Sequence, residues 1–214
     1  MYERSATRKE RQNLATIRSG EYEGLAEKLQ LADWQPDYGP AKFNAQSGAT
    51  VLGARDFLIA YNVNLNTKSV DIATEIARTV RASGRLIKKA DGTKERIPGK
   101  LPFVKAIGWY IEEYGQAQVS MNLTNMQETG IHHAFEACVE AAAKLDVQVT
   151  GSELIGLIPQ QALEEAGQYF LFKNKKLVEG VKEVVNVAVK ELGLADLAPF
   201  NPEESIIEWA LEWI

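Results

Sequence analysis

Asp56-Phe57-Leu58-Ile59-Ala60-Tyr61-Asn62-Val63-Asn64-Leu65 is the stretch from which the fold is read. Phe57, Ile59, Tyr61, Val63 and Leu65 alternate with Leu58, Ala60, Asn62 and Asn64, and a period of two puts each set on its own face of a strand. Toward the C-terminus, Thr67 is the expected N-cap of a helix on which Val70, Ala73, Ile76, Ala77 and Val80 recur at helical spacing, and Gly84 ends it. Residues 85–100 form a basic loop with Arg85, Lys88, Lys89, Lys94, Arg96 and Lys100, and a small hairpin around Asp91-Gly92. Strands are expected over Phe103–Ile111 and Gln116–Leu123, joined at Tyr114-Gly115. An amphipathic helix over Thr129–Leu145 turns Ile131, Phe135, Cys138, Val139 and Ala142 inward. A fourth strand lies within Val147–Ile158 and ends at Pro159.

The order β-α-β-β-α-β is the split arrangement of ferredoxin-like domains, with both helices on one face of an antiparallel sheet. The expected class is therefore α+β, extended by helices over Gln160–Phe170, Asn174–Leu192 and Pro202–Trp213. Upstream, residues 5–30 read as two sparse helices divided by Gly20, and residues 31–55 as an irregular stretch containing Pro36, Gly39, Pro40, Gly48 and Gly53. A structureless segment this long marks a binding loop or a linker. Its glycines let backbone N–H groups approach a ligand closely.

The sheet's second face carries a different chemistry. The strand Gln116–Asn122 sets Ala117, Val119 and Met121 on one side and Gln116, Gln118, Ser120 and Asn122 on the other. Together with Asn62 and Asn64 these make a cluster of neutral hydrogen-bonding side chains. Such groups cost roughly 1–3 kcal/mol each when buried unpaired, so they must meet water, a ligand or polar groups of another domain. A solvated sheet face and the wall of a polar-ligand cleft both fit that description.

Length and composition bound the function classes. The 214 residues, 45% hydrophobic and 25% charged, suit one large globular domain or one and a half ordinary ones. A net charge of −5 gives no general affinity for nucleic acid or anionic membrane. The single cysteine, Cys138, excludes an internal disulfide and reads as a buried, inert thiol. No apolar run approaches the roughly 18–20 residues of a membrane span, and a cytoplasmic location is expected. His132 and His133 are adjacent at a helix start, so at most one faces a given site; an exposed or capping role is the commoner outcome. No spaced His/Cys set accompanies them, so no metal site is expected. Phosphate-binding glycine motifs and a Gly-x-Ser-x-Gly elbow are missing, and Gly151-Ser152-Glu153 does not substitute for one. The residues alone describe a binding half with no visible catalytic group.

Several longer words carry more. They are Ile17-Arg18-Ser19-Gly20-Glu21-Tyr22-Glu23-Gly24-Leu25, the run from Asp33-Trp34 to Gly39-Pro40, Gly48-Ala49-Thr50, and Gly53 through Leu65. Further on come Ile107-Gly108-Trp109-Tyr110, Ala117 through Leu123, Gly151 through Pro159, Leu192-Gly193-Leu194 and Pro199-Phe200. In order and interval the chain resembles the glutamate formimidoyltransferases (formiminotransferases) over essentially its full length. The resemblance implies a transferase of histidine degradation and one-carbon metabolism. It would move the formimino group of N-formimino-L-glutamate to tetrahydrofolate, which serves as acceptor substrate. It also implies a cytoplasmic homodimer, with two α/β subdomains facing each other across a folate-binding cleft.

On that pattern, residues 1–54 are the tail of the N-terminal subdomain, a helical remnant, and residues 55–214 are the C-terminal subdomain. The folate-binding loop corresponds to Gly39, Pro40, Ala41, Lys42, Phe43, Asn44, Ala45, Gln46, Ser47 and Gly48. The family's general base is a histidine earlier in the N-terminal subdomain, matched by neither His132 nor His133. No catalytic residue is therefore assigned here, and the isolated chain is expected to be inactive. The chain also stops where the transferase region stops, with no cyclodeaminase domain expected. Two other readings stay open: a non-catalytic folate-binding module, and a partner of a separately encoded N-terminal half.

Overall fold

A computed structural model describes residues 1–211. The chain divides into two compact units, Met1–Asp56 and Phe57–Ile214.

The first unit is held by little regular structure. Strand β1 (Tyr2–Glu3) pairs in parallel with β2 (Gly53–Ala54). Between them lie the short helices α1 (Leu14–Arg18) and α2 (Leu25–Lys28), and 3-10 turns at Lys9–Arg11 and Ala32–Trp34. Gly20, at φ 87°, divides the two helices where the sequence placed the break. Only Arg11 and Leu29 are buried in this unit, so polar contacts rather than an apolar core organise it.

The second unit is built on a four-stranded sheet in which every neighbouring pair is antiparallel. Its strands are β3 (Ile59–Leu65), β6 (Val104–Ile111), β7 (Gln116–Leu123) and β8 (Val149–Ile155), in the order β6-β7-β3-β8. The strands β4 (Arg85–Lys88) and β5 (Lys94–Ile97) form a separate hairpin. Asp91 shapes its turn by accepting from the Thr93 amide and hydroxyl. Much of the basic loop is neutralised locally: Arg85 pairs with Glu75, Lys89 with Glu95 and Lys100 with Glu140.

Helices α3 (Val70–Val80) and α4 (Ile131–Ala143) pack on the sheet and on each other. Buried among them are Tyr61, Val63, Val119, Met121, Ile76, Ala77, Ile131 and Cys138, the apolar alternation of β3 and β7 meeting the apolar stripes of the helices. The Cys138 thiol lies 4.0 Å from the Met121 sulfur, and burial pushes it up to about 12, which keeps it a thiol. Beyond the sheet, α5 (Gln160–Lys173) packs on α6 (Val181–Glu191), with α7 (Pro202–Ser205) and α8 (Ile207–Ala210) following.

Several expectations are corrected. The first strand starts at Ile59, leaving Phe57 exposed outside it. Ser69, not Thr67, caps α3 by accepting from the Ile72 amide; the Thr67 hydroxyl instead accepts from the Ser69 amide one turn earlier. Val139 is exposed on α4, and Ala134, Ala137 and Ala141 take the inward places. Residues 174–180 are not helical, because Gly180, at φ 88°, sits in the left-handed region and α6 begins after it. The C-terminal helix expected over Pro202–Trp213 is broken at Ile206. There the backbone pairs with Ile158 through Ile158 N–H to Ser205 O (2.9 Å) and Ile207 N–H to Ile158 O (3.0 Å). Trp213 lies outside the described residues.

One contact sets the spacing of the α3–sheet layer. A Cβ on Gly108 would lie 2.1 Å from the Thr74 amide nitrogen and 2.4 Å from the Ala73 carbonyl carbon, so α3 rests its backbone directly on β6. Gly108→Ala is expected to lower unfolding free energy by about 1–3 kcal/mol or more, read as a reduced urea midpoint at unchanged m-value.

Candidate functional site

The first unit contains a cleft of about 850 Å³. Its apolar wall includes Tyr22, Leu25, Trp34, Pro36 and Pro40, and its polar groups include Arg11, Arg18, Asp37, Lys42 and Asn44. Of the loop 39–48, the cleft is lined by Pro40, Lys42, Asn44, Ser47 and Gly48, while Gly39, Ala41, Phe43, Ala45 and Gln46 are not part of that lining. The loop is shaped by its own groups. Asn44 Oδ1 accepts from the Gln46 amide (2.9 Å) and the Ser47 amide (3.2 Å), and the Asn44 carbonyl accepts from the Gly48 amide (2.8 Å). Gly48 takes φ 61°, a conformation glycine enters without strain.

Tyr22 holds this loop from outside. Its hydroxyl donates to the Ala45 carbonyl at 2.6 Å and its ring meets Phe43 at 5.5 Å. Phe43 and Ala45 therefore serve the loop's position rather than the cleft surface.

Two charged residues form the floor. Arg11 is buried and donates to the Asp33 carbonyl (2.8 Å) and the Gln35 carbonyl (2.5 Å), with its guanidinium 2.9 Å from Asp37. Asp37 also accepts from the α-ammonium of Met1 and the Thr7 hydroxyl. The ammonium, then Thr7 and Arg11, hold its carboxyl well below the usual carboxylate range. Lys28 donates to the carbonyls of Thr16, Ile17 and Ser19 and lies 4.2 Å over the Trp34 ring, and partial burial lowers its pKa. These cations fasten backbone. Lys42, by contrast, has no ion-pair or hydrogen-bond partner among the described residues, which leaves its ammonium for an anion.

The second unit presents the polar sheet face. Asn62, Ser120 and Glu153 occupy one cross-strand row with Ile107, and Asn64 and Gln118 the next with Trp109. The expectation is that these amides meet water, a ligand or polar groups of another domain; within this chain Asn64 and Gln118 are both 0% exposed. A network satisfies part of their hydrogen-bonding capacity. Gln118 Nε2 donates to Asn64 Oδ1 (2.5 Å) and toward Glu153 (3.4 Å), Asn62 Nδ2 donates to Glu153 (3.2 Å), and the Tyr114 hydroxyl donates to Glu153 Oε1 (3.0 Å). Glu153 raises the Tyr114 pKa by holding its hydroxyl proton. Asn64 Nδ2 and Gln118 Oε1 are buried without a partner. Glu153 is not among the polar-face residues expected from sequence, where it stands only in the Gly151-Ser152-Glu153 motif and the Gly151–Pro159 stretch of the family resemblance. Its two-residue phase with Gly151 and Ile155 would have placed it on this face.

The histidines belong to neither place. His132 is 6% exposed, stacked on Tyr169 at 4.6 Å, with its Nδ1 unpartnered. That corrects the expectation of an exposed or capping imidazole, which holds only for His133, whose Nδ1 accepts from the Gly130 amide at 3.4 Å. Burial, then the charge of His133, lowers the His132 pKa from 6.5 to about 4. Among the described residues, no group of three or more His, Cys, Asp or Glu is arranged to hold a metal ion, and no helix is long and apolar enough to cross a membrane.

The sequence comparisons place this architecture in a known class. Residues 60–212 match the formiminotransferase domain and residues 1–55 its N-terminal subdomain, and the chain belongs to the formiminotransferase family. It is 46% identical over 213 residues to the formimidoyltransferase-cyclodeaminase of Dictyostelium discoideum, covering 99% of this chain and 38% of that protein. It is also 44% identical over 171 residues to the glutamate formimidoyltransferase of Streptococcus pyogenes serotype M1, covering 80% and 52% respectively. With that of Thermoplasma acidophilum it shares 39% over 176 residues, covering 81% and 53%. The chain thus spans about a third to a half of the length of the curated relatives it matches.

The buried imidazole sets a pH dependence. Between pH 6.5 and about 4 the unfolded chain binds a proton at His132 that the folded state excludes, so stability falls as pH drops through this window. His132→Phe, which keeps a stacked ring, is expected to flatten that slope when urea midpoints at pH 5 and pH 7 are compared with wild type.

Proposed function

We propose that this chain contributes to transfer of the formimino group from N-formimino-L-glutamate to tetrahydrofolate. In this reading the first unit supplies tetrahydrofolate-binding groups and the second is the C-terminal subdomain. The observation that carries the reading is the cleft lined by Pro40, Lys42, Asn44, Ser47 and Gly48, with flat apolar surface at Tyr22, Trp34 and Pro36. A planar heterocycle suits those rings, and the unpaired Lys42 suits the carboxylates of the folate tail. The remaining loop residues, Gly39, Ala41, Phe43, Ala45 and Gln46, belong to the proposed folate loop as its frame. We also assign the sheet to the split ferredoxin-like arrangement, which the order β6-β7-β3-β8 supports.

In the reaction the folate nitrogen attacks the formimino carbon, the bond to the glutamate nitrogen breaks, and the proton lost by the first nitrogen is gained by the second. That exchange calls for a group titrating near neutrality. His132 is held neutral by burial and neither histidine lines the cleft, which favours a second reading. In it the chain binds folate and the proton transfer is performed by a group outside it.

Tetrahydrofolate binding and formimino transfer by the purified chain separate the two readings. Both signals support transferase action by this chain alone; binding without turnover supports the second reading; no binding refutes both. Lys42→Ala is expected to weaken tetrahydrofolate binding roughly two- to fivefold, the range of an exposed ion pair, in a calorimetric titration. Tyr22→Phe removes the hydrogen bond to Ala45 while keeping the ring. It is expected to weaken binding by a few-fold, about the 0.5–1.5 kcal/mol of one hydrogen bond, without lowering the urea midpoint of the second unit.

A further inference from the structure

The polar face of the sheet holds a carboxylate in an unusual setting. Glu153 is half-buried among the neutral amides of Asn62 and Gln118, and no lysine or arginine ion-pairs with it among the described residues. A cation reaching a carboxylate that no lysine or arginine already pairs with gains a charge-assisted bond in a partly desolvated place. Beside it, Gln118 Oε1 is a fully buried acceptor with no donor, a deficit that a ligand N–H would relieve. Tyr114 currently donates to Glu153 Oε1 from the β6–β7 turn, where Gly115 takes φ 63°. A hydroxyl donor thus stands where an N–H donor of a ligand would bind. Exposed Ile107, Trp109 and Ile155 on the same face supply an apolar surround.

From this geometry we infer that Glu153, with the Gln118 and Asn62 amides, forms a binding site for a cationic amidine, the protonated formimino group of the donor substrate. The planar amidinium offers N–H donors on both nitrogens to the carboxylate and to Gln118 Oε1, and it displaces the Tyr114 hydroxyl. An N-formyl group of the same shape has an oxygen in place of one N–H-bearing nitrogen and carries no charge, so the site rejects it. Asn62 and Tyr114 are positioning residues for the carboxylate, whereas Gln118 contacts the ligand itself. The inference rests on the formimino-transfer reading for the identity of the ligand, though not for the cation preference of the site.

The test follows the side-chain amide signals of Asn62, Asn64 and Gln118 in nitrogen–proton correlation spectra of the 214-residue chain. The probes are N-formimino-L-glutamate, N-formyl-L-glutamate, formamidinium and formamide. The expected result is movement of these signals with the two cationic probes, with at least tenfold tighter binding of the formimino than of the formyl compound. Glu153→Gln should shrink that preference below threefold while leaving tetrahydrofolate binding unchanged. Tyr114→Phe, which keeps the carboxylate and frees Oε1, should tighten formamidinium binding. A preference that survives in Glu153→Gln, or amide signals unmoved by both cations, overturns the inference whether or not tetrahydrofolate binds. A response to formamidinium without one to N-formimino-L-glutamate upholds the cation site and refutes the formimino-transfer reading.

Discussion

The second unit depends on the direct seating of α3 on the sheet at Gly108, where no side chain separates helix backbone from strand. Ridge-into-groove packing normally holds a helix away from its partner by the width of side chains. Removing that spacer at one point brings Ala73, Ile76, Ala77 and Val80 down onto Val104, Ala106, Val119 and Met121. Cys138 and the small residues Ala134, Ala137 and Ala141 let α4 approach in the same way. With one face sealed so closely, the alternation of each strand forces its remaining residues to the opposite face. There Asn, Gln, Ser and Glu take the places opposite the apolar core, with Asn62, Asn64 and Gln118 themselves buried.

The two units solve the problem of cohesion differently. In the second, apolar area removed from water supplies the stability, and several polar groups of the sheet join a network through Tyr114, Glu153 and Asn62. In the first, a buried guanidinium does the joining: Arg11 gathers the carbonyls of Asp33 and Gln35 and the carboxylate of Asp37 into one knot beneath the cleft. Lys28 repeats the device on the end of α1. The cleft's cations are thereby sorted into Arg11 and Lys28, engaged by backbone, Arg18, paired with Glu21, and Lys42, which has no partner among the described residues.

Legibility in the sequence followed the range of the interactions involved. Strands β3, β6 and β7, helix α3 and the Asp91-Gly92 turn depend on local periodicity and turn chemistry, and each was readable to within a few residues. The division of β7 into Ala117-Val119-Met121 and Gln118-Ser120-Asn122 sides was readable for the same reason. What escaped depends on partners far along the chain. Glu153 acquires its meaning only when β8 is in register with Asn62, 91 residues away. The pairing of Asn64 with Gln118 joins residues 54 apart in sequence, and the Tyr114 hydroxyl reaches Glu153 across 39. His132 looked like an accessible imidazole because nothing nearby in sequence announces Tyr169. The break at Ile206 comes from a backbone bridge to Ile158 and leaves no mark in helical propensity. The proposed folate loop was visible as a glycine-rich irregular stretch, but Tyr22 as its buttress was not.

The scarcity of buried apolar residues in the first unit also bears on how ligand occupancy would be felt. Local opening free energy tracks buried contacts, so amides of residues 1–56 belong to the fast-exchanging tier of the molecule and those of β3 to the slowest. A ligand seated among Trp34, Asp37, Lys42 and Asn44 adds its binding free energy to a small local stability rather than to a large one. A ligand bound there would act as the missing core of that segment, and the order of the cleft would follow the ligand's concentration.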